Sequence, residues 1–378
     1  GIGHEIGRVA ARLAALLEDT WLRQQLVEIM EEFYDLGRVQ EVYEIFGGYI
    51  NRSYGLVVER DGIRKDYFLR QYKSGIAEHE IRFEHALIGH CAARGFTIAA
   101  RVIANRHGAT YIKPAGSKSF FAVYEFLEGE DKYTWNNPAL NDEELVSASK
   151  MLATFHTAAI GFDPGKFQRV EPPIRDLLPT LSSRFKKYAK TGRNSKFHCF
   201  FLAHLKNILE AIDNCRIAEA DDPHLPLCPI HCDFHPGNLK YENNRVVGIF
   251  DFDWSKIDLR LFDVCMAVDY FCSSWDERND GELDQEKVAL FLNAYQDQLH
   301  QTDGMKPLAA AEIQHLPGML TAAGLCIIHW IVSTYHEDDG LSDDEYLFYL
   351  KHGVRLMYSI EKQRSTISQM AAKLLKQK

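Results

Sequence analysis

His231, Asp233, Asn238 and Asp251 fall close together in the run LPLCPIHCDFHPGNLKYENNRVVGIFDFDW. Asp233 stands two residues after His231 and five before Asn238, and Asp251 follows the apolar segment VVGIF. A loop carboxylate, an amide oxygen and a second carboxylate at a strand end are groups that phosphoryl transfer can use. One carboxylate orients an acceptor hydroxyl and takes its proton, while hard oxygen ligands hold Mg²⁺ on nucleotide phosphates. Asp233 suits the first role, and Asn238 and Asp251 suit the second as metal ligands.

Positioning these groups requires a rigid frame. The run around them reads as two extended segments flanking a polar Asn243-Asn244 turn, a β-rich island in an otherwise helical stretch. Upstream, GLVVERDGIRKDYFLRQY places Asp61-Gly62 between two β-rich segments, which predicts a tight hairpin. The segment AEHEIRFEHALIGHCAARG predicts a helix ending at Gly95, followed by strand candidates ATYIKP and SFFAVYEFL. Before all of these, Val9, Leu13, Leu16, Leu17, Leu22, Leu26, Ile29 and Phe33 recur at helical spacing. Beyond Leu127, apolar faces at helical period run over Asp142–Thr157, Phe201–Ile217, Gln285–Leu299, Ala309–Tyr335 and Tyr346–Ile360. The expected division is an N-terminal helical extension (1–40), a small α+β lobe (41–126) and a larger helical lobe (127–378). The stretch Arg184–Lys196 is the nearest thing to a charge run and reads as a solvated face in preference to a lid over the substrate.

Composition bounds the partners. A chain of 378 residues, 46% hydrophobic and 25% charged, can bury a large core. Its formal charge of -10 opposes nucleic-acid binding, which leaves a basic footprint. Eight cysteines without a CxxC pair read as reduced thiols of a cytoplasmic protein without disulfides. The opening GIGHEIGRVAARLAALLEDT is too regularly charged for a signal peptide. The longest apolar run, Gly324–Val332, contains His329 and is too short to span a bilayer, so a soluble chain with no membrane partner is expected. Nothing in the sequence fixes an oligomeric state.

The pair His231-Cys232-Asp233-Phe234-His235-Pro236-Gly237-Asn238-Leu239 and Ile249-Phe250-Asp251-Phe252-Asp253 resembles the aminoglycoside phosphotransferase / choline kinase superfamily, which includes homoserine and N-acetylhexosamine kinases. The resemblance has motif support from about Tyr43 to Tyr295. It implies a two-lobed protein-kinase-like fold, with ATP in the cleft between the lobes, Mg²⁺ as cofactor and a small-molecule hydroxyl acceptor. It further implies Asp233 as base, Asn238 and Asp251 as Mg²⁺ ligands, and Asp263 in LRLFDV as a structural aspartate. FGGYINRSYGLVV resembles the nucleotide loop of that family, with Gly47 and Gly48 approaching phosphate and Asn51 and Ser53 as donors. Arg70 in FLRQY would pair with phosphate and Glu84 with Arg70, Lys73 competing for the first role. AVYEFLEGE would be the interlobe linker, where backbone groups of Glu125, Phe126 and Leu127 meet adenine. In MLATFHTA, His156 reads as a packing or hydrogen-bonding residue. Glu128, Glu130 and Asp131 read as solvated loop charges before they read as acids lining the site of an amine-bearing acceptor.

Two other readings compete with this one. Cys228, His231, Cys232 and His235 are zinc-type donors, but they crowd one short extended segment instead of forming two separated pairs. A catalytically inactive, kinase-like nucleotide-binding protein is the second alternative, opposed by the presence of Asp233, Asn238, Asp251 and Arg70 together. Neither GxGxxG nor GxxxxGK[ST] occurs, which argues against Rossmann and P-loop enzymes.

Overall fold

The computed structural model describes residues 2–45, 51–218, 221–338 and 342–376, and the chain divides into two compact units. The first comprises Gly1–Gly89 and Ala100–Leu127, and the second His90–Ala99 and Glu128–Lys378. The N-terminal unit carries an antiparallel sheet and the larger C-terminal unit is mostly helical, the expected α+β fold class.

In the first unit, α1 (Ile2–Phe33) precedes strands β1 (Arg38–Ile45), β2 (Arg52–Arg60) and β3 (Ile63–Gln71), then all but the last turn of α2 (Glu78–Ala93), and β4 (Phe121–Glu125). The sheet order is β1-β2-β3-β4, all neighbours antiparallel. Asp61 (φ 53°) and Gly62 (φ 77°) both occupy the left-handed region, the backbone that a two-residue hairpin loop needs to match strand twist. Side-chain alternation splits the sheet into two faces. Tyr54, Leu56 and Val58 of β2, Tyr67 and Leu69 of β3, and Phe121 and Val123 of β4 form one core with Leu26, Ile29, Met30 and Tyr34 at the end of α1. Each fully buried aliphatic side chain in such a core contributes about 1.5–3 kcal/mol. The C-terminal part of α1 is therefore a wall of the sheet's core. Of the predicted strands, ATYIKP forms only an isolated bridge, Ile112 to Phe121.

In the second unit the described helices are α3 (Asp142–Ala158), α4 (Ile174–Thr191), α5 (Lys196–Asn214), α6 (Arg260–Cys272), α7 (Gln285–Gln301), α8 (Ala310–Gln314), α9 (Leu316–Glu337), α10 (Asp343–Lys362) and α11 (Arg364–Leu374). The helix expected over Ala309–Tyr335 is two helices broken at His315, because Pro317 lacks the N–H that would continue the first into the second. Helix α9 has the length and apolar character of a membrane span, longer than the run read from sequence. Most of it is buried against α4, α5, α6 and α10, as befits a core helix. The 164–198 stretch contributes α4, whose Leu177, Leu178, Leu181 and Phe185 are buried.

Two short ribbons interrupt the helices: β5 (Leu227–Ile230) with β8 (Lys256–Leu259), and β6 (Leu239–Glu242) with β7 (Arg245–Ile249). Asn243 (φ 50°) and Asn244 (φ 60°) make the β6–β7 turn. Ile230 pairs with Lys256 and Leu239 with Ile249, so the loop leaving β5 and the loop leaving β7 are anchored to each other at both ends.

Candidate active site

The 231–238 loop is held mainly by one buried carboxylate. Asp263 on α6 accepts hydrogen bonds from the His231 amide (3.0 Å), the Cys232 amide (2.9 Å) and His156 Nε2 (2.7 Å). Cys232 sits at φ 65°, a left-handed conformation that costs a non-glycine residue roughly 1–2 kcal/mol. The paired hydrogen bonds that the His231 and Cys232 amides donate to Asp263 offset that strain. His156 is completed by the Tyr295 hydroxyl at 2.8 Å, which makes it the hydrogen-bonding residue its sequence context suggested. Burial alone would push Asp263 upward, but the His156 hydrogen bond, the histidines beside it and the His231 amide outweigh it, so its carboxyl stands below the usual range. A depressed folded-state pKa gives stability that is present above the unfolded value of about 3.9 and lost as pH falls through the folded one. Urea unfolding followed below pH 4 should therefore show an acid slope that Asp263→Asn reduces. An unchanged slope would mean that Asp263 does not carry the acid sensitivity.

His231 is fixed as a neutral side chain. Its Nδ1 accepts from the Asp233 amide at 3.1 Å, so Nε2 carries the hydrogen and donates to Phe250 O at 3.0 Å. Burial, the largest influence, holds its pKa below the ordinary value. With both ring nitrogens engaged, His231 has no lone pair for zinc. Among the described residues, no group of three or more His, Cys, Asp and Glu could hold a metal ion.

Asn238 is the hinge of the arrangement. Its Nδ2 donates to Asp233 O at 2.8 Å and to Asp233 Oδ2 at 3.0 Å, while its backbone carbonyl accepts from the Phe250 amide at 3.1 Å. Phe250 is thus tied to His231 and to Asn238, and Asp251 is the next residue. Asp251 itself is left-handed (φ 60°, ψ 58°), a region that aspartate and asparagine tolerate better than most residues. With Nδ2 committed to Asp233, Asn238 Oδ1 accepts no hydrogen bond among the described residues. An amide oxygen left open on a carboxylate-bearing loop is chemistry that fits Mg²⁺.

Asp233 keeps 25% of its side chain accessible. Its carboxyl is nevertheless pushed well above the usual range, first by loss of surrounding water and next by the charge of Asp253, against the Asn238 hydrogen bond. Asp253, two residues beyond Asp251, is thus an electrostatic neighbour of Asp233. Beside Asp233 lies His235, its Nε2 3.7 Å from Asp233 Oδ1 and its Nδ1 accepting from the Gly237 amide. Burial, then His231, lower the His235 pKa to about 3. A Cβ on Gly237 would come within 3.0 Å of the His235 ring and 3.3 Å of Trp135 N, so this turn has little space for a side chain.

In the N-terminal unit, Arg70 lies on the sheet face opposite the α1 core. Its Nη1 meets Glu84 Oε1 at 3.2 Å, with side chains 4% and 2% exposed. Glu84 also receives the Tyr72 hydroxyl, and the Tyr124 hydroxyl lies 3.3 Å from Oε2. Both phenols approach His85 Nε2, and His85 Nδ1 meets Thr110 Oγ1 at 2.7 Å. Burial, then Arg70, bring the His85 pKa down to about 3, so the cluster's cation is Arg70. Lys73 is exposed, and its amide donates to Asn51 Oδ1 at 3.0 Å. Ser53 pairs with Arg70 across β2 and β3. Glu84→Ala should lower stability by ~3–5 kcal/mol, because it leaves a buried guanidinium uncompensated. A urea-unfolding difference under ~1 kcal/mol would show that Arg70 is neutralised elsewhere.

Gly47 and Gly48 lie outside the described residues. In the linker, the Glu125 amide donates to Arg101 O at 2.8 Å, which removes that donor from ligand contact. Leu127 N makes no hydrogen bond among the described residues. Glu128, Glu130 and Asp131 are exposed, and Asp131 pairs with Lys240 at 2.8 Å. Lys256 on β8 is buried between Asp258 (3.0 Å), Glu171 (3.2 Å) and Pro172 O (2.9 Å), a structural clamp. Sequence reasoning missed a further buried acid, Asp269, which is one polar position in the nearly fully buried helix α6.

Fold and loop chemistry define a small-molecule kinase of the protein-kinase-like class. The chain belongs to the phosphotransferase enzyme family, which it matches over residues 41–307. It is 27% identical over 299 residues to the homoserine kinase of Cupriavidus pinatubonensis, covering 77% of this chain and 80% of that one. In fold it is similar to a spectinomycin phosphotransferase solved with ADP and spectinomycin (TM-score 0.63, 15% identity, 90% of this chain and 98% of that one). It is likewise similar to the choline kinase of Cryptosporidium parvum (TM-score 0.61, 16% identity, 92% and 97%).

Proposed function

We propose that the enzyme moves the γ-phosphoryl group of ATP to a hydroxyl of a small polar acceptor. Asp233 aligns that hydroxyl and takes its proton as the acceptor oxygen bonds to phosphorus; the bond from phosphorus to the β,γ-bridging oxygen breaks, and ADP leaves. Asn238 Oδ1 and the Asp251 carboxylate would hold Mg²⁺. When bound, the ion neutralises charge on the transferring phosphoryl group. Arg70, oriented by Glu84, would hold nucleotide phosphates, its burial beside Glu84 supporting it over the exposed Lys73. Gly47 and Gly48 with Asn51 and Ser53 would form the phosphate loop, and backbone groups of Glu125 and Leu127 would meet adenine, the open amide of Leu127 as donor.

The carrying observation is the clasp of Asn238 on Asp233, which presents base and amide oxygen side by side with Asp251 one residue from the bonded Phe250. The test is ADP release coupled to acceptor consumption over amines, amino acids and sugars, with and without Mg²⁺. Acceptor-dependent turnover that chelation abolishes is expected. Tight Mg-ATP binding with no turnover on any acceptor would favour the inactive nucleotide-binding alternative.

A further inference from the structure

Beside the Arg70–Glu84 pair lies a buried polar cluster. Tyr72, His85 and Tyr124 are all buried, a costly place for two phenols and an imidazole unless their polar atoms are met. They meet one another. The Tyr72 hydroxyl donates to Glu84 Oε2, and its oxygen lies 2.7 Å from the Tyr124 hydroxyl and 3.1 Å from His85 Nε2. The Tyr124 hydroxyl lies 3.2 Å from the same nitrogen, and Thr110 Oγ1 closes the chain at 2.7 Å from His85 Nδ1. A neutral imidazole has one donor and one acceptor nitrogen, so either tautomer satisfies the ring here. Burial, then Arg70, keep His85 in that neutral form.

Separate elements bring these groups to Arg70. Arg70 lies near the end of β3, and Tyr72, two residues on, is anchored by its amide donating to Phe120 O at 2.9 Å. Glu84 and His85 are neighbours on α2, and Tyr124 lies on β4, which pairs with β3. Tyr124 touches both members of the ion pair. Its hydroxyl is 3.3 Å from Glu84 Oε2, and the guanidinium carbon of Arg70 lies 5.4 Å from its ring centroid, with the Phe68 ring at 5.7 Å. Aromatic faces attract a planar guanidinium and fix its tilt. Glu84 Oε1 meets Arg70 Nη1 at 3.2 Å while Oε2 takes the phenols, so both carboxylate oxygens are tied. A carboxylate tied at both oxygens has one setting, and it passes that setting to the guanidinium.

We propose that Tyr72, Tyr124 and His85 are positioning residues for phosphate binding: through Glu84 they lock the Arg70 guanidinium in one orientation before the nucleotide arrives. The inference rests on the phosphate role given to Arg70 above and adds the residues that set it. The cost of ordering a long, flexible cation is then met in folding and is absent from binding. None of the three needs to touch the nucleotide.

Tyr72→Phe and Tyr124→Phe each remove one hydroxyl and keep the ring. Calorimetric titration in Mg²⁺ with a non-hydrolysable ATP analogue and with adenosine, which lacks phosphates, separates positioning from general support of the fold. Each variant should bind the analogue about tenfold more weakly than wild type, the scale of a hydrogen bond to a charged group, and bind adenosine unchanged. His85→Leu should show the same selective loss, and His85→Gln, whose amide still gives and accepts a bond, should recover part of it. Equal losses of analogue and adenosine would mean that the cluster only supports the fold. Analogue affinity within twofold of wild type in both phenylalanine variants would mean that Arg70 is held without them. Either result overturns the proposal and leaves the phosphate role of Arg70 standing. Wild type that binds adenosine as tightly as the analogue would remove that role, and the proposal with it.

Discussion

Asp233→Asn should lower kcat by about 10²–10⁴-fold, the contribution of a positioned general base, while leaving Mg-ATP affinity nearly unchanged. The substitution is close to isosteric. An asparagine at 233 keeps an Oδ1 that can still accept from Asn238 Nδ2, so the clasp survives and only the proton acceptor is lost. Stability should hold or rise, because the native carboxyl is already disfavoured by lost hydration and the charge of Asp253. Melting temperature and calorimetric Mg-ATP binding separate these outcomes. A variant that binds normally and turns over within threefold of wild type would remove Asp233 from the chemistry.

Asp251→Asn should be nearly as damaging by a different route. Losing one anionic ligand of the nucleotide's metal removes about 4 kcal/mol of charge stabilisation, on the order of 10³-fold in turnover. Asparagine is the informative substitution because it tolerates φ 60°; alanine adds roughly 1–2 kcal/mol of backbone strain and confounds the reading. Turnover against Mg²⁺ concentration should shift to much higher metal for Asp251→Asn, with an unchanged melting temperature. A wild-type Mg²⁺ profile would contradict the assignment.

Local chemistry was the legible part of this sequence. Asp61-Gly62 and Asn243-Asn244 announced hairpins because residues tolerant of positive φ stood between β-rich runs, and both turns have that backbone. The HCDFHPGN run named the loop because its roles depend on spacing within a few residues. What stayed hidden depends on long-range contact. His156 and Asp263, separated by 107 positions, meet inside the core, and nothing local marks their pairing. Asp269 lies on a helix buried on nearly every side, so no amphipathic stripe set it apart. The break at His315 was missed because helical periodicity continues across it; only Pro317 carried the signal. The acids just past the linker, Glu128, Glu130 and Asp131, are exposed, and charge alone does not separate an acid that lines an acceptor site from one that faces solvent.

The most direct measurement is a crystal structure of the enzyme with Mg²⁺ and a non-hydrolysable ATP analogue. The ion should lie about 2.0–2.1 Å from both Asn238 Oδ1 and an Asp251 oxygen, bridging to the phosphates, with Asp233 facing the γ-phosphate. Nucleotide and metal bound without contact to Asn238 and Asp251, or Asp233 turned away from the γ-phosphate, would contradict the account.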